Sequence, residues 1–246
     1  MNNLEMLILD IKKANNCIPC TIPYHPYLKA PENICNFLDY FSIQHNRDFL
    51  IQALTTLYCW IKALDHEIDN ESVSGEIAIE ALVTPSLLSK SSSSTLKKLT
   101  PALSLLIRPR QELVIADFKK ALKADQNKRC AQEMKEYIEA RKNVGRCIAN
   151  TTFSFLQPYV CLSDSFVDFY RNLGETGDLI DAIIDFHHDR KNGEYAFTPN
   201  GKDYLKLFKT TSQKVVHLFI SYPFLIRSIP KHVAPFLKTL IKARNS

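Results

Sequence analysis

From about Asn46 onward the chain repeats its apolar side chains every three to four positions, the period of an amphipathic helix. This pattern predicts helices over about 46–69, 76–83, 98–107, 110–124, 128–157, 163–191 and 202–222, then two short pieces broken at Pro230 and Pro235. Ahead of them, CIPCTIPYHPYLKAPEN (17–33) carries four prolines and is expected to run extended over the surface. Ser91–Ser94 reads as a loop. No alternating β/α pattern, internal repeat, domain-dividing linker or glycine-rich phosphate loop interrupts the series. The expected fold class is all-α, with a single domain over 1–246.

Composition agrees with that reading. Six glycines in 246 residues are few for a strand-and-turn fold, and 46% hydrophobic content suits a packed core. The net charge of +5 is modest and the basic residues are scattered, so an anionic small molecule is a better expected partner than nucleic acid. The apolar run in MNNLEMLILDIKK is shorter than a secretory signal core, and about 18 consecutive apolar residues occur nowhere, so no transmembrane segment is expected. Seven cysteines at irregular spacing fit reduced thiols and a cytoplasmic location. Cys17 and Cys20 form a lone CxxC that nothing nearby completes as a metal or redox site.

Candidate chemistry gathers on three helices. Asp178, Asp181, Asp185 and Asp189 share an arc of about 80° on one helix, opposite Leu179, Ile180, Ile183, Ile184 and Phe186. Gly174 lies beneath this stripe and leaves room there. Carboxylates four residues apart repel, and before Arg190 no cation of the same helix shares their arc. Either water solvates the face or divalent cations neutralise it, and magnesium suits hard carboxylate oxygens. On the helix ending near residue 69, Asp65 and Asp69 continue the stripe of Ile51, Leu54, Tyr58 and Ile61. Either the helix leaves the core at Asp65, or the stripe opens there into a cavity with ions at its mouth. Arg141 shares an apolar face with Met134, Tyr137, Ile138, Gly145, Ile148 and Thr152, and a buried guanidinium needs an anion: a diphosphate or one of the aspartates.

YCWIKALDHEID (58–69) resembles the first aspartate-rich motif of the class I isoprenoid synthases, the all-α superfamily of squalene and phytoene synthases and class I terpene cyclases. LGETGDLIDAIIDFHHDRKNGEY (173–195) resembles their second motif, and EYIEARKNVG resembles the cyclase segment whose arginine senses diphosphate. The resemblance implies a helical bundle around a central cavity and several Mg2+ ions on Asp65, Asp69, Asp178, Asp181, Asp185 and Asp189. It implies a prenyl diphosphate substrate held by Lys62, Arg141, Arg190 and Lys191, with Tyr195 assisting as a hydroxyl donor. Tyr58, Tyr137, Phe155 and Phe219 are candidates for an aromatic wall that shields the allyl cation. The implied activity is that of a terpene synthase, with a squalene/phytoene synthase-like prenyltransferase and a non-catalytic helical binding module as alternatives. A homodimer and peripheral membrane contact are compatible with each.

Overall fold

A computed structural model describes residues 3–19, 24–70, 72–88 and 92–225. Among these residues there are nine α-helices and no strand, so the protein is all-α. They are α1 (Asn3–Asn15), α2 (His25–Tyr40), α3 (Arg47–Asp69), α4 (Gly75–Glu80), α5 (Ser94–Ile107), α6 (Gln111–Arg129), α7 (Met134–Leu156), α8 (Asp164–Asn192) and α9 (Gly201–Ser221). No described helix is long and apolar enough to cross a membrane.

The helix boundaries follow from local capping chemistry. Asn46, Ser74 and Ser93 each accept a backbone N–H three residues on, satisfying donors that the first turns of α3, α4 and α5 leave open. Ser93 is the reason α5 begins at Ser94, earlier than the apolar period indicates and within the stretch expected to be a loop. At α9, the Asn200 side chain accepts from Lys202 and Asp203, while Asp203 accepts from the Asn200 N–H at 3.0 Å, a reciprocal capping box.

The proline-rich stretch departs from expectation. Residues 25–33 are helical, not extended: Pro26 occupies the first turn of α2, where a missing N–H costs nothing, and Pro31 is buried inside the helix. Helix α1 is likewise an addition, anchored by the fully buried Ile11 and by Asn15, whose amide donates to the Gln52 carbonyl of α3 at 3.1 Å. The pieces expected around Pro230 and Pro235, together with Cys20 and Ser91, lie outside the described residues. The six described cysteines are free thiols.

The chain forms two compact units, one of Met1–Lys119 with Thr151–Phe166 and the other of Lys120–Asn150 with Val167–Ser246. In the first, α3 packs against α1, α2 and α5, and the fully buried Trp60 donates its indole N–H to Thr100 Oγ1 at 2.9 Å. The core of the second joins Met134, Tyr137 and Ile138 of α7 to Leu179, Ile183 and Phe186 of α8.

Candidate functional site

The site in the second unit is set by a close helix crossing. A Cβ placed on Gly145 of α7 would lie 2.2 Å from the Gly174 carbonyl oxygen of α8, and one on Gly174 would lie 2.5 Å from the Gly145 oxygen. Two backbones can approach this closely only where neither residue has a side chain. The space expected beneath the acidic stripe at Gly174 is therefore filled by α7. The helices run antiparallel from the crossing, so one turn back along α7 faces one turn forward along α8. This register brings Arg141 to Asp178.

Arg141 Nε lies 3.1 Å from Asp178 Oδ2, with only 9% and 14% of the two side chains exposed. Both atoms are buried and neither makes an aligned hydrogen bond. An aspartate lies beside Arg141. The acidic stripe is thus partly compensated, by a cation on the facing helix. Ile148, expected on the same buried face of α7, is exposed. On the other side of the crossing, buried Glu175 receives Arg146 Nη2 and Lys214 Nζ, each at 2.7 Å, tying α8 to both α7 and α9. Burial would raise the Glu175 pKa, but Lys214 and Arg146 outweigh it and hold the carboxyl below the usual range. The only sign of Glu175 in the sequence is a charged residue directly following each of the two crossing glycines.

The remaining carboxylates of the stripe lie further along α8. Asp181 is solvent-reachable, yet burial by the surrounding protein pushes it up to about 6; Asp178 and Asp185 add to this and Arg141 opposes it. Asp189 is half-buried and also raised, first by burial and then by Glu194 and Asp185. Asp178 is raised by burial against the pull of Arg141 and Lys128. The Arg141 guanidinium, which burial alone would weaken as a base, is raised by Asp178, Tyr137, Asp181 and Asp189, so it stays charged. Tyr137 and Tyr195 meet beside it with ring centroids 5.0 Å apart. Burial raises both phenols, and the Tyr195 oxygen is enclosed beside Tyr137 without a hydrogen bond of normal geometry. Arg190 and Lys191 are exposed at the end of α8.

In the other unit, the face of the last turn of α3 that bears Asp65 and Asp69 is exposed. Asp65 is 51% exposed and accepts from Lys62 Nζ of its own helix at 2.6 Å. Burial pulls the Lys62 pKa down, but Asp65 and the charges of Tyr27 and Asp69 raise it overall. Asp69 is exposed as well. The buried acid of this turn is Glu67, which accepts from Ser72 Oγ at 2.6 Å and from the Ser93 N–H at 2.7 Å. Against burial, which raises it, these bonds lower its pKa. Tyr58 is a core residue with its hydroxyl 3.0 Å from Thr152 Oγ1; Phe155 is fully buried, and Phe219 of α9 is half-buried.

Magnesium fits part of the acidic set. Asp181, Asp185 and Asp189 offer hard oxygens at successive turns of one face, whereas Asp178 and Asp65 are engaged by Arg141 and Lys62. Among the described residues no three His, Cys, Asp or Glu side chains converge on one point, so an ion on α8 would complete its shell with water and substrate oxygens. No family model, curated protein or solved structure matches this chain.

Proposed function

We propose that the chain is a magnesium-dependent class I terpene synthase that ionises an allylic prenyl diphosphate and cyclises or quenches the resulting carbocation. The observation that supports this most is the face of α8, where Asp181, Asp185 and Asp189 follow one another at successive turns while buried Arg141 is fixed beside them by Asp178. Magnesium held by one or two of these carboxylates, with water and substrate oxygens completing its shell, would supply positive charge to a departing diphosphate. Asp178 positions Arg141 through the inner Nε, so the two outer guanidinium nitrogens are the ones that meet diphosphate oxygens. The Tyr195 hydroxyl is enclosed beside Tyr137, and its ring packs with those of Tyr137 and Phe186 in the core next to Arg141.

A second reading, a non-catalytic helical binding module, is favoured by the Arg141–Asp178 and Lys62–Asp65 pairs, each of which satisfies its charges without a ligand. Incubation with geranyl, farnesyl and geranylgeranyl diphosphates and magnesium, with mass analysis of extracts and measurement of released diphosphate, decides between them. A hydrocarbon or alcohol product lost in Asp185→Asn supports the synthase, and a doubled chain supports a prenyltransferase. Absence of diphosphate release with all three substrates rejects both.

A further inference from the structure

Helix α9 turns an unusual face outward. Leu205, Phe208, Val216 and Ile220 are all exposed, Ile220 at 73%. They fall within an arc of about 120° and form a crest about 22 Å long. Lys209 and Lys202 lie within the crest's arc beside Ile220 and Lys206 about 40° beyond it, all three exposed and without an ion pair to any described residue. The single acid of the helix, Asp203, points about 160° away from Leu205 and is spent on the Asn200 cap. The sequence that follows α9 has the same character. Residues 226–246 hold five lysines and arginines and no aspartate or glutamate, so they carry the entire formal excess of +5 while the other 225 residues balance.

We propose that the α9 crest is a docking surface for an anionic lipid bilayer, lying in the plane of the interface with its lysines at the headgroups. The inference is independent of the catalytic reading. Charge selects the occupant. A second copy applied face to face would set Lys202, Lys206 and Lys209 against the same lysines where the two helices run parallel, or against the apolar Val216 and Ile220 where they run antiparallel, and neither arrangement offers an acid. The basic segment 226–246 brings no acid to meet them either. A convex ridge of leucine, phenylalanine, valine and isoleucine with lysine on one side matches the boundary between acyl chains and anionic headgroups.

The test is co-sedimentation of the full chain with vesicles of phosphatidylcholine alone and of phosphatidylcholine with one quarter phosphatidylglycerol. The expected result is binding to the anionic vesicles that weakens with salt, and little binding to the neutral ones. Val216→Glu/Ile220→Glu, checked for native helicity by circular dichroism, lowers partitioning by about tenfold or more. Lys202→Gln/Lys206→Gln/Lys209→Gln lowers it by about fivefold per charge at low salt. No binding by the unaltered chain overturns the proposal. So does binding that survives Val216→Glu/Ile220→Glu, which assigns it to basic residues elsewhere. A dimer in analytical ultracentrifugation that this double substitution dissolves also overturns it, in favour of a second copy on the crest.

Discussion

Two glycines one turn apart on α8 should respond to the same substitution with opposite signs. At Gly177 a Cβ meets nothing within 4 Å, so Gly177→Ala gains the helix preference of alanine, about 1 kcal/mol. At Gly174 the same atom lies 2.5 Å from the Gly145 carbonyl oxygen and 3.2 Å from its carbon. Ordinary contact requires roughly 1 Å more, and backbone cannot rotate out of the way as a side chain can. Separation of that size also gives up a quarter to a half of the dispersion energy between the facing atoms of the two helices. Overpacking costs about 3 kcal/mol, offset by the same 1 kcal/mol of helix preference, for a net loss of about 2 kcal/mol. The two variants should differ by about 3 kcal/mol, or about 9 °C in melting temperature for a chain of this size. Guanidinium titration and thermal melts followed by far-UV circular dichroism measure this. A Gly174→Ala protein as stable as Gly177→Ala would refute the backbone contact and the helix register derived from it.

Other consequences are open to measurement. Asp178→Asn strands the buried Arg141 charge and should cost about 3 kcal/mol, and pairing it with Arg141→Met should recover much of the loss; a double-mutant cycle in denaturant gives the coupling. The Asp181 pKa of about 6 exceeds the unfolded value near 3.8, so its contribution to stability is complete below pH 4 and disappears as pH rises through 6. Relative to the unaltered chain, Asp181→Asn should therefore gain stability between pH 4 and pH 6 and hold that gain above; a difference independent of pH would show that the carboxyl is not desolvated. Glu67→Ala leaves the Ser93 N–H and the Ser72 hydroxyl without their acceptor and should cost about 2 kcal/mol, with faster hydrogen exchange at the start of α5 as the local sign.

What the chain discloses in one dimension and what it withholds have a physical division. Helices α3 and α5 through α9 are legible because their buried faces impose a period near 3.6 over at least three turns. Helix α2 is obscured by prolines whose meaning depends on position: Pro26 in a first turn starts a helix, while the same residue in a loop denies one. The period of α8 exposes the acidic stripe but not which aspartate meets Arg141, because a partner on another helix adds nothing to the arc of the first. The decisive cue, Gly145 against Gly174, is a pairing between positions 29 apart, and neither glycine announces it alone. Asp65 shows a different limit. A helical wheel says which face a residue shares, not how far along the axis the neighbouring core extends, so an exposed final turn looks like a continuation of the buried one.

Glu175 lends the second unit a form of redundancy. A carboxylate held by two cations from different helices stays paired when either is removed, and becomes a stranded buried charge only when both are gone. Arg146→Met and Lys214→Met should each be mild and their combination much worse than additive, so α8 keeps its electrical tether through the loss of either neighbour.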